Sequence, residues 1–198
     1  MPPVKVDLNK IREFEDAASF YKWLAVHHDK EDELWIKIHK VNSGLKSISP
    51  PQAIDVALCW GWIDGVRKGL DDKSYLQRYT RRRPKSIWSQ INVANVARLI
   101  QEGRMTEHGL KAVEAAKADG RWDRAYRSKD MKLPHDLQAA IDADPKAKKM
   151  LEELSAQNRF ALAFRVLNLK TEAGRKKKIE SFVEMLKRGE TIYPQGKK

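Results

Sequence analysis

The stretch that decides the fold runs from Trp62 to Arg81: WIDGVRKG at 62–69, LDDK at 70–73 and SYLQRYTR at 74–81. Two strand-like runs joined by a short polar link predict a β-hairpin. A partner strand lies upstream in ELWIKIHK, where Leu34, Ile36 and Ile38 alternate with Trp35, Lys37 and His39. That period of two predicts a strand with one buried face, and pairing it with the hairpin gives a small antiparallel sheet of three strands.

Helices flank this sheet in the sequence. Phe20, Trp23, Leu24 and His27 fall at i, i+3, i+4 and i+7 and predict an amphipathic helix over 17–28. Ser49, Pro50, Pro51 and Gln52 combine an N-cap, first-turn prolines and a capping-box glutamine, and start a second helix that buries Ile54, Ala57 and Leu58 before Gly61. Beyond Pro84, Trp88, Asn92, Asn95, Val96 and Leu99 share a helix face as far as Gly103. A further helix from Thr106 is expected to bury Leu110 and Val113 before Gly120, and both glycines stand where left-handed C-caps are wanted.

The polar, aperiodic RSKDMKLPHD at 127–136 separates an α+β part, 1–127, from a helical part, 134–198. Three or four short helices are expected there, capped by Asp144 and Thr171. Their buried sets are Ala147, Met150, Leu151 and Leu154, then Phe160, Ala163, Phe164 and Leu167, then Ile179, Phe182, Val183 and Leu186.

Composition narrows the function classes. The chain has 198 residues with one cysteine, Cys59, so neither an internal disulfide nor a multi-cysteine metal site can form, and a reducing compartment is expected. MPPVKVDLNKIREF lacks the apolar core of a secretory signal, and no run is long enough to span a bilayer, so a cytoplasmic protein without membrane insertion is expected. Lys and Arg number 39 against 27 Asp and Glu, a formal charge of +12 that attracts polyanions without specifying one.

Two segments could carry chemistry. ALCWGWIDG at 57–65 gathers Cys59, Trp60, Trp62 and Asp64 around a glycine at a helix-to-strand junction, a place where pockets form. Asp64 against indole surface would be an acid, base or ligand anchor with a raised pKa, whereas the structural reading makes Asp64 and Gly65 a turn or bulge pair and the tryptophans core. RRRPKSIWSQIN at 81–92 leads Arg81, Arg82, Arg83 and Lys85 into a helix start marked by Ser86 and Ser89, with Trp88 beside them. Guanidinium forks and a helix N-terminus both favour anions, which makes these six residues a candidate anion site and Trp60, Trp62, Asp64, Trp88 and Asn92 a candidate pocket. A solvated basic loop is the alternative.

Cys59 lies near a helix C-terminus, where the dipole disfavours a thiolate, so a small buried hydrophobe is expected. His27 and His28 point to different helix faces, while His39, His108 and His135 add no ligand spacing; no metal, cofactor or catalytic residue is predicted. The basic run GRKKKIE at 174–180 opens the last helix as solvated surface that, with Lys197 and Lys198, would touch phosphates non-specifically.

In order, WLAVHH, ELWIKIHK, ALCWGWIDGVRKGLDDKSYLQRYTRRRPKSIWS, N, GRM, GL and GRWDRAY resemble the YdeI/OmpD-associated family of bacterial proteins over nearly the whole chain. ALCWGWIDG and the RRPKSxWSxxN block carry most of that resemblance, and Pro134–Gly189 is similar to the family's C-terminal OmdA domain. The resemblance implies bacteriocin protection or antimicrobial-peptide resistance and association with an outer-membrane porin, and it supplies no catalytic residue. Without an export signal, an intracellular stress or resistance role is the consistent version. The expected function is therefore non-enzymatic, with an anionic or a protein partner. The competing readings are a basic nucleic-acid-binding protein, stacking bases on Trp88, Tyr75 and Tyr79, and a small-molecule enzyme with its pocket at Trp60, Trp62, Asp64 and Ser86.

Overall fold

The computed structural model describes residues 4–127, 130–169 and 171–196, which form an α+β protein of two compact units, Met1–Tyr126 and Arg127–Lys198.

In the first unit the chain order is β1 (Ile11–Arg12), α1 (Ala17–His27), β2 (Glu33–His39), α2 (Pro50–Cys59), β3 (Trp62–Gly69), β4 (Ser74–Arg81), α3 (Gln90–Gln101) and α4 (Glu107–Ala118). The hairpin β3–β4 forms around the 70–73 link, and β4 pairs antiparallel with β2, as the alternation requires. The sheet order is β1-β2-β4-β3, so a fourth strand joins the three expected ones, and β1 runs parallel to β2. A strand of two residues is too short to show a period.

Side chains directly opposite in register share a face, so Leu34, Ile36, Ile38, Trp62 and Tyr79 stand on one side of the sheet, under α1 and α2. Phe20 and Leu24 of α1 and Ala53, Val56 and Ala57 of α2 complete this core. Each large apolar side chain buried there contributes about 1.5–3 kcal/mol. The opposite face of β2 is not wholly solvated as its pattern suggests: Trp35 is fully buried, opposite Ile11, and its Nε1 donates to Glu33.

The helix starts are fixed by caps legible in the sequence. Ser49 and Gln52 form the capping box of α2, Ser89 caps α3 and Thr106 caps α4. Gly103 and Gly120 follow α3 and α4 with φ of +65° and +73°, the left-handed conformation expected of them. On α4 the buried set is Gly109, Val113 and Ala116, and the expected Leu110 is partly exposed. The reason is a close approach: the first turn of α4 sits on the end of α2, where Thr106 donates its backbone N–H and its hydroxyl to the Cys59 carbonyl at 3.1 and 2.6 Å. Only glycine fits beneath that carbonyl. Trp88, Val96, Leu99, Val113 and Ala116 close over Leu58 and Cys59 as a second core.

The second unit contains α5 (His135–Asp142), α6 (Pro145–Glu153), α7 (Ala156–Leu167) and α8 (Glu172–Lys187), with Asp144 and Thr171 as caps. Leu137, Ile141, Leu151, Leu162, Val166, Phe182 and Leu186 meet in its centre. On α7 the buried residues are Asn158, Ala161, Leu162, Ala163 and Val166; of the expected Phe160, Ala163, Phe164 and Leu167, Ala163 is buried, the two phenylalanines are half-buried and Leu167 is exposed. The buried face turns because Asn158 is anchored: its Nδ2 donates to the Tyr193 carbonyl and to Gln195 Oε1 at 3.0 and 2.8 Å, and its Oδ1 accepts from the Tyr193 N–H at 2.9 Å. Among the described residues no helix is long and apolar enough to cross a membrane.

Candidate functional site

The β3–β4 register pairs Trp62 with Arg81 and Asp64 with Tyr79, then resumes at Arg67 with Gln77. Gly65 and Val66 therefore share the place opposite Arg78, which is the bulge that the structural reading of Asp64 and Gly65 anticipated. Gln77 holds the bulge by donating to the Gly65 carbonyl at 2.9 Å. Arg67, just beyond it, lies 4.3 Å over the Tyr75 ring and donates to Gln77 Oε1.

Asp64 is half-buried beside this bulge. Burial pushes its carboxyl above the usual carboxylate range; its own backbone N–H, Arg82 and Arg67 pull the other way, the two arginines acting through space rather than by hydrogen bonds. Its ring neighbours are Tyr79, directly opposite, and Tyr126, both of which feel its charge.

Arg82 follows the last residue of β4, where alternation no longer applies. Its backbone N–H donates to the Gly61 carbonyl at 2.9 Å, and its guanidinium lies over Trp88 with 3.4 Å between the central carbon and the ring centroid. Nη1 donates to the Ile87 carbonyl, whereas Nε and Nη2 are buried and have no hydrogen-bond partner among the described residues. Burial lowers its pKa to about 10, against the pull of Asp64 and with the push of Arg121. The Tyr79 hydroxyl and Trp88 Nε1 are likewise buried without a partner. An unmet buried donor costs about 1–3 kcal/mol, more when charged, so the two on Arg82 need a reason.

The rest of the basic block behaves differently. Arg81, Arg83 and Lys85 are exposed. The Ser86 hydroxyl accepts from the Arg83 N–H at 3.0 Å and its carbonyl from Arg121 at 2.7 Å. Ser89 accepts from the Asn92 N–H at 3.2 Å, and the Gln90 N–H is taken by the Tyr126 carbonyl. The first-turn donors of α3 thus serve the fold, leaving Arg82 as the block's inward-facing member.

The candidate pocket separates in the same way. Trp62 is in the core beneath α1, donating to the His28 carbonyl. Trp60 faces a different cluster, 4.8 Å from His28, 5.2 Å from Tyr21 and stacked 5.7 Å from His108. Trp88 is covered by Arg82, which acts on Asp64 only through space, while Asn92 enters through its backbone. Sequence reasoning passed over Tyr126 and Arg67. The hairpin register places Tyr79 opposite Asp64, but no local signal relates Tyr126, far along the chain, to either.

Elsewhere, Cys59 is buried and its thiol is pushed up to about 11 by that burial. In the 174–180 run Arg175 grips Asp136 with Nε and Nη2 at 2.5 and 2.7 Å, holding that carboxyl down at about 2. This pair borders a surface cavity of about 680 Å³ lined also by Ala140, Glu172 and Ile179.

Two family models match the chain. Residues 12–112 match a domain of unknown function, DUF8412, and residues 130–189 match the family described as bacteriocin-protection, YdeI or OmpD-associated, OmdA. The YdeI/OmpD-associated resemblance, expected along nearly the whole chain, is thus matched in the second unit, while the ALCWGWIDG and RRPKSxWSxxN blocks lie in the other family's region. Neither the curated proteins nor the solved structures provide a match. With Asp64, Tyr79, Arg82 and Trp88 all inside a match that spans just over half of its length, the chain belongs to the DUF8412 family and carries an OmdA domain after it.

Proposed function

We propose that this protein is a non-catalytic binding protein that takes an anionic group at Arg82, within the bacteriocin-protection or stress-resistance setting suggested by its OmdA region. One observation carries this reading. The Nε and Nη2 atoms of Arg82 form one edge of the guanidinium, and that edge is turned inward, desolvated and without a partner, while Trp88 fixes the plane. Such an edge matches the two oxygens of a carboxylate or phosphate. These donors are buried, so binding involves a local opening around them.

The surface reading, in which a polyanion is attracted by Arg81, Arg83 and Lys85, lacks stacking support: Trp88 and Tyr79 are buried and Arg67 covers Tyr75. Calorimetric titration with acetate and inorganic phosphate separates the two. The Arg82 reading expects saturable binding that persists at physiological salt, survives Arg81→Ala and Arg83→Ala, and falls at least about tenfold in Arg82→Lys, which keeps the charge and loses the edge. Binding to nucleic acid that fades with modest salt and depends on the exposed arginines would replace it.

A further inference from the structure

We infer that His28 and His108 together bind a divalent transition-metal ion of the nickel or copper kind, a capacity separate from the Arg82 edge.

No spacing in the sequence relates these two residues; the fold brings them together. His28 closes the C-terminus of α1, His108 is the second residue of α4, and their ring centres lie 4.0 Å apart with the planes tilted by 45°. Trp60, at the end of α2, lies against both, 4.8 Å from His28 and stacked 5.7 Å from His108, and Tyr21 of α1 meets that indole edge to face at 5.2 Å. Gly61, with φ of +71°, lets α4 come this near: a Cβ there would lie 2.9 Å from the His108 carbonyl oxygen. Packing from three helices therefore holds the two imidazoles side by side.

Each ring is also oriented through one nitrogen. His28 Nδ1 lies 3.0 Å from the Leu24 carbonyl, which can only accept, so the proton sits on Nδ1 and Nε2 keeps its lone pair. His108 Nε2 faces the Glu107 carboxylate at 3.4 Å, which in the same way favours a proton on Nε2 and a lone pair on Nδ1. An imidazole anchored on one side by a carbonyl or a carboxylate, with its other nitrogen unprotonated, is the arrangement of a metal-ligating histidine.

The spacing selects the kind of ion. Imidazole nitrogens bind at about 2.0–2.1 Å, which puts an ion about 3.2 Å from each ring centre. Centres 4.0 Å apart then subtend an angle of about 80° at the ion, near the right angle between neighbouring ligands of a tetragonal or octahedral site and well short of the tetrahedral angle. Nickel and copper take that geometry with nitrogen ligands, whereas a structural zinc site needs a wider spread and four protein ligands. Among the described residues no third His, Cys, Asp or Glu completes a metal cluster, so water fills the remaining positions. The His108 side chain is 39% exposed, and the ion reaches the pair from solvent on that side.

The test is calorimetric titration of the full chain with nickel chloride, with magnesium chloride as the control. The expected result is one nickel ion per chain, bound at least ten times more weakly in His28→Gln and in His108→Gln, and no saturable binding of magnesium. His27→Gln should leave nickel binding unchanged, because the His27 ring is stacked on Trp23 instead. Bound nickel should also quench part of the tryptophan fluorescence, and that part should vanish in Trp60→Phe. Melting curves without metal establish that each variant is folded; should His28→Gln fail this check, the half-exposed His108 decides alone. Nickel binding that survives both His28→Gln and His108→Gln, or no nickel binding at all, would overturn the inference, and neither outcome bears on carboxylate binding at Arg82.

Discussion

The Arg82 guanidinium carbon lies 3.4 Å from the centre of the Trp88 ring, and the Nε and Nη2 atoms of the same guanidinium are buried. This contact decides how the basic block is read: three consecutive arginines are equivalent by charge, and only the middle one is held by an indole. The stack is also an electronic contact, so replacing Trp88 by leucine should release the plane. In Trp88→Leu carboxylate affinity should drop by about tenfold, as the edge is no longer fixed.

Asp64 sets a pH dependence whose sign is unusual for a carboxylate. Its folded pKa is raised, so it favours the folded state most below the unfolded carboxylate value and loses that contribution as pH rises through the folded value. Asp64→Asn should therefore raise the melting temperature at neutral pH, with the gain shrinking to nothing near pH 4. Exposed carboxylates such as Asp136, whose values are lowered, act in the opposite sense, so the difference between the two proteins isolates Asp64.

Gly109→Ala tests the seat of α4 on α2. In an open helix this change gains about 1 kcal/mol. Here the new Cβ would lie 2.3 Å from the Cys59 carbonyl oxygen and 2.8 Å from that of Leu58, both backbone atoms unable to step aside. Denaturant unfolding should show a loss of at least about 2 kcal/mol.

Much of this architecture was legible. The caps at Ser49, Ser89, Thr106, Asp144 and Thr171 and the 70–73 link are local chemistry, set within a few residues of sequence. The misread faces have non-local causes. Leu110 looked inward by periodicity until a glycine beside it had to accept a backbone carbonyl, and the α7 stripe turned because Asn158 binds a segment 35 residues away. In the candidate site, Asp64 and the arginine block were visible as residue types. Which arginine turns inward was not, because Arg82 lies one residue beyond the strand and its orientation depends on Gly61 and Trp88.

Asn158→Ala should detach the C-terminal segment from α7. Because Asn158 is buried and three of its hydrogen bonds close onto Tyr193 and Gln195, a loss of about 1–3 kcal/mol is expected. Amide exchange at Tyr193 should accelerate more than exchange within α6.

Cys59 should be inert in the folded protein. With its thiol pushed from 9.0 to about 11, its thiolate fraction near neutral pH is reduced about a hundredfold before burial hinders access. Reaction with a disulfide reagent at about pH 8 should be correspondingly slow and should reach the full rate on unfolding; a fast native reaction would contradict the packing of α2 against α4.

The most direct test of the Arg82 account is nitrogen-15 NMR of the arginine side chains, with the Arg82 Nε–H signal assigned by its loss in Arg82→Lys. Titrated with acetate or glycine, that signal should shift downfield, exchange more slowly with water and saturate, while those of Arg81 and Arg83 stay in place. Saturation at Arg81 and Arg83 with an unmoved Arg82 signal would contradict the account and return the basic block to the protein surface.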